Sequence, residues 1–329
     1  MLGLSYLWND DQSLPLYQTK TTILRLMSRI LIFSMIYAAL SFAASAQNSL
    51  SSELFKSSVL TPVNSFTNGV EGPAVDKTGI VYAVNLARQG TIGQIAPGGK
   101  TSIFIELPDG SIGNGIRFNS RGNMLIADYT NHNILKVDMN TKMLTIFAHE
   151  PRMNQPNDIA IDSKDRLYAS DPDFKAGTGR IWRIDTDRKV TFLDSLGTTN
   201  GIELSPDEKT LYVNASHKVW AYDLSPKGNI SNKRVLVGFS DFGMDGMRCD
   251  IKGNLYIARF GKGTVVVVSP QGQIIREIPL SGKRPTNVAF GGNDGRTMYV
   301  TLQDQGNLES FRVDIPGREW EMQRRVKNQ

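Results

Sequence analysis

Six oxygen-bearing residues recur along this chain at a nearly constant spacing. Glu71, Asn114, Asn157, Asn200, Asp245 and Asn287 follow one another at intervals of 43, 43, 43, 45 and 42 residues. Each heads the same pattern of an apolar-alternating run, a polar turn and a second apolar run. NDIAIDSKDRLYASD from Asn157, NGIELSPDEKTLYVN from Asn200 and DGMRCDIKGNLYIAR from Asp245 are three copies of it. Repeats of about 40–50 residues built from short strands are the signature of β-propeller blades. The turns are rich in chain breakers: DKTG at Asp76, NSRG at Asn119, DSKD at Asp162, SPDEK at Ser205, DIKG at Asp250 and GGNDG at Gly291. A back half with two further short runs follows, as in ILKVD and LTIFA after Asn133, so each repeat supplies four strands. The sixth repeat has only three, ending in LESFRVD from Leu308, whereas SVLTPVNSFT before Glu71 offers one strand with no repeat of its own. Pairing that strand with the last blade closes the ring and removes an exposed edge. The fold expected is all-β: a six-bladed propeller over residues 59–315, closed by an N-terminal strand.

The 329 residues would otherwise allow one or two domains, but blades share a continuous core, which argues for one. A formal charge of +5 is mild, and Lys and Arg form no run or face, which excludes nucleic acid as a partner. Cys249 is the only cysteine, so no intrachain disulfide can form; its place in an alternating run marks it as a core residue. Ahead of the repeats, Arg25 and Arg29 precede the apolar run 30–42, which ends in Ala44-Ser45-Ala46. That pattern reads as a secretory signal peptide within a leader of residues 1–46, cleaved after Ala46 and leaving a periplasmic or secreted protein with no membrane contact. An uncleaved N-terminal anchor is the alternative, and Met27 is a second candidate start. Residues 47–58 read as a polar linker and 316–329 as a charged tail.

Fourteen residues beyond each repeat head stand Asn85, Asp128, Asp171, Asn214, Arg259 and Thr301, each ending an apolar run. In a hairpin, the start of the first strand and the end of the second lie at the same rim. The spacing therefore predicts two rings of polar side chains around one mouth of the central tunnel. The inner ring holds two carboxylates and four amides, the donor set of a hard cation such as Ca²⁺. Zn²⁺ sites usually recruit His or Cys, and His132, His149 and His217 all fall outside the ring, which also leaves a Ser-His-Asp triad without a base. Asn and Asp at strand entries also form plain turns, a reading that suits Asn114 and Asn287. It suits Glu71 and Asp245 less well, because they are acids interrupting an Asn series.

E-G-P at Glu71, P-N-D at Asn157, N-G-I-x-L-S-P-D at Asn200 and M-D-G-M-x-x-D-x-x-G-x-L at Asp245 together resemble the SMP-30/gluconolactonase family of six-bladed propellers. The resemblance covers roughly residues 65–315 and rests on four weak motifs in order at blade spacing. It implies a hydrolase of a lactone or related ester with one divalent cation, Ca²⁺ first, with Zn²⁺, Mg²⁺ or Mn²⁺ as alternatives. Glu71, Asn200 and Asp245 would be ligands, and Asn157 a ligand or a holder of water and substrate. Asp245 would also serve as base or nucleophile, with a metal-bound water as the alternative attacking group. Substrate contacts are expected from Asn157, Asn114, Asp171 (in S-D-P, which resembles the T-D-P of bacterial members) and Arg259. Family members that act on sugar lactones often carry Arg where this chain has Gln155, so Gln155 is a further substrate-side candidate, and a gluconolactone-like substrate loses support. Repeats such as LIADYTNHNILKVD from Leu125 also resemble NHL-type propellers, which implies the competing reading of a non-catalytic binding module. A strictosidine-synthase-like propeller is a third option, against which the matched acids and amides argue.

Overall fold

The computed structural model describes residues 54–325. The leader with its expected cleavage after Ala46, the first part of the linker and the last four residues lie outside the described residues. From Leu54 onward the chain forms six four-stranded antiparallel sheets. Their innermost strands are Ala74–Val75, Gly113–Phe118, Ile159–Ile161, Thr199–Leu204, Met247–Cys249 and Pro285–Gly291. Each innermost strand contacts those of both neighbouring blades, and the first meets the sixth, so the six form a ring around the tunnel. In the sixth blade the outermost place is taken by Ser58–Val59, which pairs antiparallel with Asn307–Arg312 through Ser58 opposite Ser310 and Val59 opposite Glu309.

The alternating apolar pattern buries both faces of each blade against different neighbours. Six apolar clusters result, one in every gap between consecutive blades. Tyr212 and Val219 of the fourth blade meet Met247 and Ile257 of the fifth in one, and Cys249 lies buried there. Burying such a Val or Ile side chain contributes about 1.5–3 kcal/mol. Outer strands are the exposed ones, as in Ile230–Gly238 and Ile274–Pro279. At the end away from the repeat heads, Asp76, Asn119, Asp162 and Asp250 close their turns by accepting backbone N–H groups two and four residues on.

The stretch read as a charged tail has a fold of its own. Residues Arg318–Arg325 form helix α1, whose first turn packs over the turn end of the tunnel. Arg318 is buried, donates to the Ile161 carbonyl at 3.1 Å and pairs with Glu203 at 3.5 Å and Glu208 at 2.9 Å. The linker likewise joins the propeller before residue 59, with the Phe55 N–H donating to the Arg312 carbonyl at 2.8 Å. No described helix is long and apolar enough to cross a membrane.

Candidate active site

Five of the six repeat heads meet at one mouth of the tunnel. Glu71, Asn114, Asn157, Asn200 and Asp245 line a cavity of about 240 Å³ together with Val70, Ile112, Tyr129, Phe174 and Thr286. Asn287 does not line it. Its side chain turns down the tunnel, with Oδ1 accepting from Arg248 at 3.2 Å and Nδ2 donating to Asp158 at 3.4 Å.

Local backbone chemistry sets this convergence. In the second, fourth and sixth blades a one-residue bulge interrupts the first hairpin at the head, between 113 and 116, 199 and 202, and 285 and 288. A bulge re-aims a side chain that regular pleating would alternate away. The residue after the head is Gly in four blades. A Cβ on Gly201 would lie 2.5 Å from the Asp245 carbonyl oxygen, and one on Gly115 would lie 2.6 Å from Asp158 Oδ1. Glycine therefore allows neighbouring inner strands to approach closely enough for their heads to share one cavity. Asp158, after Asn157, points its carboxylate into the tunnel.

Of the six residues at the fourteen-residue offset, Asn85 lines the cavity and the other five do not; all six brace the loops around it. Asn85 donates to the Gly69 carbonyl at 2.7 Å, two residues ahead of Glu71. Asp128 accepts from Ser111 at 2.8 Å, three ahead of Asn114. Asp171 accepts from the backbone N–H groups of Asn154 and Gln155, both at 2.7 Å, and from Trp182 Nε1 at 2.8 Å. Arg259 reaches the Gly243 carbonyl at 3.3 Å, pairs with Asp241 at 2.6 Å and stacks 3.8 Å from the Phe239 ring. Thr301 accepts the Asn287 N–H at 3.0 Å, and Asn214 donates to the Asp245 carbonyl at 2.5 Å. Each fixes the loop that delivers a head, because buried polar groups must find partners and the loop backbone offers them. Asp171 and Arg259, expected at the substrate, are thus buried and occupied away from the cavity. Gln155 is half-buried and hydrogen-bonded to the Tyr129 hydroxyl.

The cavity brings two carboxyls together among side-chain amides and hydroxyls. The Asp245 and Glu71 carboxyls lie within hydrogen-bond reach of each other, and the Asn200 side chain also bonds Asp245. Burial, then the charge of Asp158, pushes the Glu71 carboxyl up to about 7. Burial, then the charge of Glu71, holds Asp245 well above the usual carboxylate range. Oδ1 atoms of Asn114, Asn157 and Asn200 are buried without a hydrogen-bond partner. An unpaired buried acceptor costs about 1–3 kcal/mol, so three at one mouth beside two facing acids form a site that fits a hard cation. Lining residues that the sequence pattern did not single out include Gln89, Phe174 and Gln303, for which it held no signal, and Tyr129 and Thr286, which directly follow a brace and directly precede a head. That adjacency was the only signal available for them.

Below the mouth, Asp158 lies between Arg117 at 3.3 Å and Arg248 at 3.2 Å, all three buried. Arg117 continues the ion-paired column to Glu319 on α1 at 2.5 Å. A larger cavity of about 440 Å³ opens at the α1 end, but carboxylates that line it are already engaged: Asp162 by Arg166, Asp165 by Ser120, and Glu208 by Ser163 and Arg318.

The model of the SMP-30/gluconolactonase/LRE-like region matches residues 62–304. The chain belongs to that family. It is similar to a gluconolactonase of Zymomonas mobilis, 25% identical over 284 residues that cover 74% of this chain and 79% of the relative. It is also similar to regucalcin of Xenopus laevis, 30% identical over 229 residues, 65% of this chain and 76% of that one. Among solved structures, a regucalcin from Agrobacterium tumefaciens described as a calcium-binding protein aligns with a TM-score of 0.68 at 23% identity. The alignment covers 79% of this chain and 97% of that chain, a likeness of fold.

Proposed function

We propose that this protein hydrolyses a lactone or related ester with one divalent cation, Ca²⁺ first, held at the tunnel mouth, and that it works after export from the cytoplasm. One observation carries the reading: two facing acids, Glu71 and Asp245, and three unpartnered amide oxygens converge on one cavity. The family's gluconolactonase relative is in keeping with it. Glu71, Asn200 and Asp245 would hold the cation, with Asn157 beside them. When bound, a divalent cation polarises a carbonyl and stabilises the negative charge that grows on its oxygen.

The remaining chemistry falls to side chains. Asn114 and Asn157 are placed by braced loops to orient a water and the ester. Asp245 lines the same cavity, so its carboxylate can take a proton from that water. The water oxygen bonds to the carbonyl carbon, the ring C–O bond breaks, and the proton passes to the departing ring oxygen, giving a hydroxy acid. Tyr129, held by Gln155, presents a hydroxyl at the cavity wall.

Metal analysis of the purified protein should find about one divalent ion per chain, and chelation should stop hydrolysis across a panel of lactones and aryl esters. Turnover indifferent to chelator would remove the cation from the reaction. Silence across the panel with metal bound would favour a binding module.

A further inference from the structure

Ring opening leaves an alkoxide, a much stronger base than a carboxylate, so a proton delivered as the C–O bond breaks lowers the barrier. No Lys, Arg, His or Cys lines the cavity. Lys175 beside the lining Phe174, and Arg88 beside the lining Gln89, are exposed and stand outside the lining, and Arg88 is paired with Glu106. Apart from the two carboxyls, the lining side chains with a proton to give are the hydroxyls of Thr286 and Tyr129. Thr286 is already engaged, donating to the Val70 carbonyl at 2.8 Å and lying 2.7 Å from the Thr301 hydroxyl.

Tyr129 is built into the wall. Its N–H donates to the Ile112 carbonyl at 2.8 Å, and the Ile112 N–H donates to the Thr130 hydroxyl at 3.1 Å, so the loop entering the second blade clasps this turn from both sides. In a ring of six the second blade faces the fifth. The phenol therefore stands across the mouth from Asp245, near enough to feel its charge. Gln155, from the loop entering the third blade, hydrogen-bonds the phenol, which favours the phenolate. The Gln155 backbone is itself held, its N–H donating to Asp171 at 2.7 Å. A phenol, whose ordinary pKa is about 10, carries its proton at neutral pH. Asp245 and Tyr129 thus present a base and an acid on opposite walls of one cavity.

We propose that Tyr129 is the general acid of ring opening, delivering its proton to the departing ring oxygen. This rests on the hydrolase reading above and adds a relay to it. Asp245 takes one proton from the attacking water as the water oxygen bonds to the carbonyl carbon. When the ring C–O bond breaks, its electron pair goes to the ring oxygen, which takes the Tyr129 proton. The phenolate, supported by Gln155, regains a proton from the Asp245 carboxyl, so both groups return to their starting states and the product is a hydroxy acid.

The test compares two lactones on the calcium-loaded protein: δ-valerolactone, whose ring oxygen leaves as an alkoxide, and dihydrocoumarin, whose ring oxygen leaves as a far less basic phenoxide. Tyr129→Phe keeps the ring and removes the proton. It should lower kcat/KM for δ-valerolactone by about 100-fold, within the range of a placed acid, and the loss on dihydrocoumarin should be smaller by about tenfold. Gln155→Leu leaves the phenol and withdraws its support, so it should show the same selectivity at smaller size. A purely structural role would lower both lactones alike. Equal losses on the two, or no loss on δ-valerolactone, overturn the inference while the hydrolase reading stands. If the parent protein opens neither lactone, the hydrolase reading fails and this inference fails with it.

Discussion

Asp245 is the residue on which the proposed attack and the proposed cation binding meet. Its carboxyl faces Glu71, its backbone carbonyl is held by Asn214, and its brace Arg259 fixes the preceding loop. Asp245→Asn keeps the shape and removes the charge, so turnover should drop by about 10²–10⁴-fold, the usual contribution of a placed base, with an unchanged circular dichroism spectrum; an active variant would clear Asp245 of the role. Gly201→Ala tests the glycine geometry without touching a ligand side chain. The new Cβ would meet backbone, the Asp245 carbonyl oxygen 2.5 Å away, so the fourth and fifth inner strands must separate. Calcium affinity should weaken, read by titration calorimetry, and unaltered affinity would show that the close approach is not needed. The heads were readable from sequence because blade spacing fixes them. The braces were readable only as positions: that Asp171 turns to the Asn154 and Gln155 N–H groups, and Arg259 to Asp241, depends on loop paths that periodicity does not encode.

Among the elements, α1 was the one hidden by its own composition. Eight residues rich in Arg and Glu read as a solvated tail, yet Arg318 is buried against Glu203, and Glu319 pairs with the buried Arg117. Charges paired across 115 and 202 positions leave no local pattern to read. The short strands, by contrast, alternate apolar and polar residues and carry breaker turns, so their sheets followed from the sequence. Glu203 gives this end of the tunnel a pH signature. Burial, then the charge of Glu319, pushes its carboxyl up from 4.5 to about 7. Between those values the folded protein keeps a proton that the unfolded chain has released, so this group's contribution to stability is present at the acid end and lost as pH rises through about 7. Urea midpoints of Glu203→Gln should show a flatter decline between pH 5 and pH 7.5 than the parent; parallel declines would contradict the assignment.

At the scale of the whole molecule, the ring closes on a tunnel whose inner strands carry acid at one mouth and a column of paired charge beneath it. Asp158, flanked by Arg117 and Arg248, joins the two. Asp158→Ala would strand two buried guanidiniums and should cost about 3–5 kcal/mol in urea unfolding; a loss under about 1 kcal/mol would mean the column contributes little. A cation held at the mouth as proposed would add to the fold's stability, since a ligand bound only by the native state raises unfolding free energy by about 2.7 kcal/mol at a hundred times its dissociation constant. The most direct measurement is a calorimetric titration of calcium into chelator-stripped protein, run beside the Glu71→Gln variant. One site per chain, with affinity sharply reduced in the variant, is the result expected. No binding to the parent protein, or equal binding by both, would contradict a cation centre at the tunnel mouth.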